Sequence, residues 1–464
     1  MKQNNRRQFI AKSSAAAAGL SIGLNAFTSE KTSRIFGAND KIRVGFVGVG
    51  NRGSQLLSRF MENDDMEVAA LCDVYKPYTT RNRNEVDTRY LRTGKVPKLG
   101  EKFPEEVKQF GDYRKMYEQK DIDAIVIATP DHWHALQCIH ACEAGFDVYV
   151  EKPLTITIRE GREMVKAQKI AGNVVQVGLN RRGSSVYQKL AKDIQNKKIG
   201  KVLTANAFRI SNMYPNGIGN LPPEQPPTGF NWDMWLGPRA ARPYQYNIAP
   251  YFFRWWDDYS SQMGNWGVHY MDVIRWMIGV TAPSAISAQG GKFVLTDDRT
   301  IPDTMDVLFE FEEGLIIKFS IYEGTSGTGV RGGEVEMRGT KGTLIADQNG
   351  YEINPARSGQ FQDWEQLIEA EKYDLGNDAA FGDLGIKEDS TANLIRNFLD
   401  CVKSRKTPWC TLEDGHRSTS FAHLANIALK TGQRLEWDSK KEQFKNSEEA
   451  NKMLHYEYRK PWKL

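Results

Sequence analysis

Two hydrophobic rhythms divide the chain. In the first third, short apolar runs of strand length stand between stretches of helical period. The runs are Ile42–Val47, Glu67–Cys72, Ile122–Thr129 and Asp147–Val150. Strands alternating with helices predict βαβ units and a parallel sheet. A turn is expected at Pro130–His134, then a helix from about Ala135 to Ala144 that Gly145 ends. Residues 76–109 are polar and rich in lysine and arginine, which predicts a helix plus an irregular excursion. Beyond residue 285 the rhythm changes to short alternating strands, among them Met305–Phe311, Leu315–Ser320 and Val335–Arg338. Gly324–Gly333 lacks the strand-to-helix setting of a phosphate loop and is expected to be a mobile turn. Residues 355–390 predict a polar, exposed insert, and Ala392–Lys403 and Gly415–Thr431 predict helices. One stretch has two faces at helical spacing: Asn265, His269, Asp272 and Trp276 on one, Val268, Met271, Ile274 and Ile278 on the other. The first face can line a cleft while the second packs.

The turn after the first strand carries chemistry. Gly48-x-Gly50-x-x-Gly53 follows that strand and opens a helix, and Asp73 ends the next strand twenty residues on. This is the dinucleotide-binding fingerprint in register. Gly48 allows the tight turn, Gly50 lets the backbone approach a pyrophosphate, and Gly53 lets helix and strand pack. The pyrophosphate sits on the free N–H groups at the helix start. A carboxylate at Asp73 accepts hydrogen bonds from the ribose hydroxyls of NAD and repels the 2′-phosphate of NADP, so NAD is expected over NADP. Strand C-termini of such a sheet face the ligand crevice, which aims Asp131, His134, Glu151 and Lys152 at the edge that holds Gly48 and Asp73. A lysine beside a positively charged nicotinamide ring is expected to have a lowered pKa and to serve in proton transfer.

Composition adds limits. A length of 464 residues predicts two domains, and 40% hydrophobic residues suffice for ordinary cores. Asn5-Arg6-Arg7-Gln8-Phe9-Ile10, followed by a mild apolar stretch from Ser13 to Leu24, has the form of a twin-arginine (Tat) export signal. Residues 1–30 are read as that signal, which predicts export to the periplasm. The formal charge is +4, and the signal carries Lys2, Arg6, Arg7, Lys12 and Glu30, so the mature chain is near neutral. No basic stripe points to nucleic acid and no second apolar segment to a membrane span. The five cysteines, Cys72, Cys138, Cys142, Cys401 and Cys410, have neither zinc-site nor disulfide-framework spacing and read as buried thiols. No metal site is expected.

Further motifs carry a resemblance. They are Ala128-Thr-Pro-Asp-x-x-His134, Glu151-Lys152-Pro153, Gly178-Leu-Asn-Arg181, Asn231-Trp-Asp-x-Trp-Leu-Gly237, Gly267-Val-His269-Tyr-Met-Asp272 and the tail Glu449-Ala-Asn-Lys-x-Leu…Tyr458-Arg-Lys-Pro-Trp462. From about residue 40 to 464 the chain resembles the Gfo/Idh/MocA oxidoreductases, in a branch found on exported bacterial proteins. The resemblance implies an α/β fold with an NAD-binding Rossmann domain at 40–155. It also implies a substrate-binding and oligomerisation α/β domain at 156–464, with an open, largely antiparallel sheet. It implies a carbohydrate substrate, a homo-oligomer, a cis Lys152–Pro153 peptide, and proton handling by Lys152 with a later Asp-x-x-x-His pair. Here that pair reads Asn265-Trp-Gly-Val-His269. Asparagine can orient a hydroxyl but not take its proton, so the base role falls to His269, to Lys152, or to both. Asp272 is read as structural. The cofactor contacts expected are Gly48, Gly50, Asn51, Arg52, Gly53, Asp73, Thr129, Pro130, His134, Glu151 and Lys152. The substrate contacts expected are Arg181, Asn265, Trp255 and Tyr270.

Between Asn212 and Gln262 lies a long segment rich in aromatics, proline and glycine. Flat rings stack on the C–H faces of sugars, yet most of these rings are expected to pack the segment onto its domain. Three functions stay open: an NAD-dependent sugar oxidoreductase, a redox-neutral NAD-dependent glycosidase using transient oxidation, and a sugar-binding protein without catalysis.

Overall fold

The continuous apolar runs become the interior strands of a parallel sheet. β1 (Ile42–Val47) leads to helix α1 (Asn51–Met61), β2 (Met66–Cys72) and β3 (Lys108–Phe110); β4 (Ala124–Ile127), helix α2 (Asp131–Glu143), β5 (Asp147–Val150), helix α3 (Ile158–Ala171) and β6 (Val175–Val177) complete the unit. The strand order is β3-β2-β1-β4-β5-β6, all parallel. The order reverses between β1 and β4, and the turns after these two strands diverge to open a crevice. The computed structural model describes residues 40–92, 100, 103, 107–327, 334–376 and 388–464. The expected signal at 1–30, part of the 76–109 excursion, most of the Gly324–Gly333 turn and part of the 355–390 insert lie outside the described residues.

Two expectations are corrected here. The sheet does not stop at residue 155: α3 and β6 extend it to Val177, because Glu151-Lys152-Pro153 marks a strand end rather than a domain end. Helix α2 begins at Asp131, not near Ala135. Pro130 sits just before it, and proline's fixed φ and the acid in the first turn both favour a start at that point.

The second sheet has ten strands. Helix α4 (Ser185–Gln195) precedes β7 (Val202–Ile210), and helix α5 (Val268–Ile278) precedes β8 (Ala285–Gly291), β9 (Thr304–Phe311) and β10 (Leu315–Tyr322). β11 (Val335–Gly339), β12 (Gly342–Ala346), β13 (Gly350–Pro355) and the edge strand β14 (Glu371–Asp374) follow. Helix α6 (Ser390–Ser404), helix α7 (Leu412–Thr431), β15 (Leu435–Asp438) and β16 (Gln443–Phe444) close the domain. The order is β14-β13-β12-β11-β7-β10-β9-β8-β15-β16, with only β7 and β10 parallel. One face packs on α4, α5 and α7 through Leu190, Met271, Ile274, Phe309 and Phe421, while Leu203, Leu308 and Ile316 are exposed on strands of the same sheet.

The two halves are stitched together late in the chain. Phe398 of α6 meets Phe60 of α1 and Tyr149 of β5 edge-on, and Arg405 bonds Asp147 of β5. Trp462 packs edge-on against Trp133 of α2 at 4.8 Å, and Tyr458 donates to Glu160 of α3. The aromatic segment behaves similarly: His132 and Trp133 of α2 bond the Trp235 carbonyl, and Tyr75 packs on Phe230.

Candidate active site

A cleft of about 830 Å³ opens at the switch point between β1 and β4. Its floor begins with the glycine turn. Gly48 has φ +81°, and a Cβ there would lie 2.8 Å from the Ala128 backbone. A Cβ on Gly53 would lie 1.8 Å from the Gly48 carbonyl oxygen. Only glycine fits either position. Helix α1 has no side chain capping its start and no acid in its first turn, so its free N–H groups face the cleft uncompensated. Asp73 takes hydrogen bonds from the Val49 and Tyr75 N–H groups at 2.9 and 3.0 Å. Burial pushes its carboxyl up to about 6, the value of a site that gains from further donors. These residues fit a dinucleotide. The turn and helix start would hold the pyrophosphate, Asp73 the ribose hydroxyls, and the edge formed by Thr129, Pro130 and Lys152 the nicotinamide end.

Lys152 is the chemical centre of that edge. Its Nζ donates to the Asn265 backbone carbonyl at 2.8 Å and to Asn265 Oδ1 at 3.2 Å. Burial, helped by the positive charges of Arg254 and Arg52, pulls the amine down to about 8, against the opposing pull of Glu151 and Asp131. Glu151 is committed elsewhere, accepting from Arg52 Nε at 2.8 Å and from the Lys152 N–H. The Lys152–Pro153 peptide is cis.

Asn265 reaches Lys152 from a local distortion. Residues Met263–Gly267 form one wide helical turn before α5, in which the Val268 N–H reaches back five residues to the Met263 carbonyl. Such turns are rare and recur at functional sites. Asn265 Nδ2 then faces Gln262, whose amide donates to Glu323 at 2.8 Å. Glu323 also accepts from Trp255 Nε1 at 2.9 Å and Arg299 Nη1 at 2.7 Å. Burial drives its carboxyl up to about 7 against the pull of Arg299 and Trp255.

Family profiles match this architecture over most of its length. The profile described as the oxidoreductase family, NAD-binding Rossmann fold, covers residues 42–179, and that of the oxidoreductase family's C-terminal alpha/beta domain covers 189–317 and 386–464. The chain belongs to the Gfo/Idh/MocA family. A glycosyl hydrolase family 109 protein of Shewanella baltica is 30% identical over 178 residues, which is 36% of this chain and 37% of that relative. The match therefore spans little more than a third of the relative's length. An oxidoreductase from Agrobacterium radiobacter, solved with NAD+, L-tartaric acid and magnesium, superposes with a TM-score of 0.61 at 13% identity, covering 85% of this chain and 98% of that one. Levoglucosan dehydrogenase, solved with NADH and levoglucosan, superposes at 0.60 and 16% identity, covering 86% and 99%. At these identities the structures share the fold.

Within this Gfo/Idh/MocA site the expected residues separate into groups. Gly48, Gly50, Asn51, Arg52, Asp73, Thr129, Pro130, Glu151, Lys152, Asn265 and Trp255 line the cleft, and Gly53 sits beneath its turn. His134 does not line it: its ring is held between the Pro153 and Thr129 carbonyls at 2.8 and 2.9 Å, beneath the two strand ends. Arg181 and Tyr270 do not line it either. Arg181 bonds Glu334 and lies 5.2 Å over the Tyr270 ring, and Tyr187 completes that cluster. The expected helix face from Asn265 to Trp276 is broken, because the wide turn rotates Asn265 away from the α5 repeat. His269 is buried with Nδ1 unpartnered. Burial and the charges of Arg181, Lys152, Arg52 and Arg209 hold its pKa well below the usual histidine range, so it is neutral near pH 7. Asp272 is buried against Arg182 at 2.9 Å. Sequence reasoning missed Gln262, Glu323 and Arg209 in the cleft. Among the described residues, no group of three or more His, Cys, Asp or Glu side chains is placed to hold a metal ion, and no helix is long and apolar enough to cross a membrane. All five cysteines are free and buried.

Proposed function

We propose that this protein is an exported NAD-dependent oxidoreductase that oxidises a carbinol carbon of a sugar, with Lys152 as the base. The observation that carries the reading is the buried Lys152 amine at the expected nicotinamide end of the cleft, hydrogen-bonded to the neutral backbone and side-chain carbonyls of Asn265. Bound NAD+ supplies a hydride acceptor at that edge. As the C–H hydride leaves the sugar carbon, the hydroxyl proton passes to neutral Lys152 Nζ, and the alcohol becomes a ketone. Asn265 O and Oδ1 then hold the ammonium by the same hydrogen bonds. His269 is too weak a base for this step and is assigned a hydrogen-bonding role. A second, oxidised substrate must return the nicotinamide to its starting state if the cofactor stays bound.

A redox-neutral glycosidase is the second reading, favoured by the likeness of about a third of the chain to proteins named glycosyl hydrolase family 109. In it the same proton and hydride transfers open and close a cycle around glycoside cleavage. A paired assay separates the two. Nicotinamide absorbance is followed during a single turnover with free sugars, and aglycone release from aryl glycosides is followed without added cofactor. Nicotinamide reduction that persists until a keto-sugar is added supports the oxidoreductase. Aglycone release without net reduction supports the glycosidase. Neither signal from nicotinamide-loaded protein supports a binding role and removes the first reading.

A further inference from the structure

The cleft wall carries two arginines, Arg209 and Arg254, that make no direct ion pair among the described residues. Arg209, near the end of β7, stacks its guanidinium 3.6 Å from the Trp266 ring centroid, and its Nε is buried without a partner. Arg254 lies 4.2 Å over Tyr251 and 4.5 Å over Phe253, and donates to the Tyr251 carbonyl. Both line the cleft, and among the described residues neither has a carboxylate within ion-pair distance. The acids nearby are engaged: Glu151 with Arg52, Glu323 with Arg299, Trp255 and Gln262, and Asp131 with the Ser260 hydroxyl. Burial draws the pKa of both arginines down, outweighing the opposing pull of Glu323 on Arg209 and of Asp131 and Glu151 on Arg254. Half-buried guanidinium groups without an anion are costly, and their fork geometry suits a carboxylate or sulfate.

We propose that the sugar bound in this cleft carries an oxyanion, a uronic carboxylate or a sulfate ester, held by the guanidinium groups of Arg209 and Arg254. The proposal rests on the sugar-site reading given above and narrows it to acidic sugars. The aromatic rings beneath both arginines keep the guanidinium planes fixed, so their N–H edges are presented to the ligand rather than to solvent.

The test uses the full chain loaded with nicotinamide. Intrinsic tryptophan fluorescence is titrated with matched methyl uronides and methyl glycosides of the gluco and galacto series, and with the corresponding 6-sulfates, at low and high salt. The expected result is an acidic sugar bound at least about tenfold more tightly than its neutral partner, an advantage that shrinks with salt. Preference for the uronide or for the sulfate assigns the anion. Arg209→Met and Arg254→Met are each expected to reduce the advantage about tenfold to hundredfold, with Arg209→Lys keeping part of it. Equal or tighter binding of neutral sugars overturns the proposal, as does absence of binding by every acidic member. Release of nicotinamide by either Met variant with the acid preference intact also overturns it, because the arginines would then serve the cofactor. Binding is read without turnover. Acid-selective binding in a protein that never reduces nicotinamide would overturn the oxidoreductase reading and leave this inference standing, whereas reduction by neutral sugars with no acid preference does the reverse.

Discussion

Replacing Asn265 by aspartate puts a full negative charge where the amide oxygen now lies 3.2 Å from Lys152 Nζ. At that separation a unit charge is worth about 1.3 kcal/mol at the dielectric of water and about 5 kcal/mol at an effective dielectric of 20. These bounds correspond to a rise of about 1 to 4 pKa units, and known carboxylate–cation neighbours occupy the range of about 1 to 3. The Lys152 amine, held at about 8 in the present site, would move to about 9–11. Its neutral fraction at pH 7 would fall from about a tenth to about a hundredth or less. The assay is single-turnover nicotinamide reduction across pH. The native protein should speed up as pH rises through about 8, because the base form accumulates above its pKa. In Asn265→Asp the curve should shift to higher pH by at least one unit, with the rate at pH 7 down about tenfold or more and largely restored at high pH. Lys152→Ala, run beside it, should retain nicotinamide and abolish the reduction. A pH midpoint that stays in place, or moves down, in a variant with an unchanged melting temperature would refute the pairing of Lys152 with Asn265 as the control on this proton.

Three further outcomes are expected. Nicotinamide affinity should fall as pH drops through about 6, where the Asp73 carboxyl takes up a proton and loses its acceptor role, and Asp73→Ala should remove that pH dependence together with the preference for NAD over NADP; equilibrium titrations with both cofactors check this. Gly53→Ala forces a Cβ to within 1.8 Å of a backbone oxygen, so it should cost about 1–3 kcal/mol in thermal stability and release nicotinamide, read from the melt with and without cofactor. Asp272→Asn leaves Arg182 buried with only Asp414 as a charged partner, which should cost about 3 kcal/mol in denaturant titration, with little change in the pH profile of reduction.

The first domain was legible because its signals are local. A strand, a glycine turn, a helix and an acid lie within thirty-two residues, and each is shaped by its neighbours in sequence. Pro130 shows how a local rule can also mislead: read as part of a turn, it instead stands at the start of α2. The cleft's other wall was illegible because its partners come from far away. Asn265 meets Lys152 across 113 residues, and Glu323 meets Gln262 across 61. Periodicity placed Asn265 and His269 on one helix face, since nothing in the residue types announces the wide turn that separates them. Arg181 carried a motif's signal, and its actual partner, Glu334, lies on the far side of a segment with no pattern linking the two.

The docking of α6 on the parallel sheet sets an order of events at the ribosome. Strand β6 is complete at Val177, while the helix that covers Phe60 and Tyr149 begins at Ser390, and Trp462 reaches Trp133 later still. At about 5–20 residues per second, the sheet waits about 10–40 s for its cover. During that interval its apolar face belongs to chaperones or to the solvent. A nascent chain interrupted in the second domain would thus carry an intact glycine turn on an unfinished sheet.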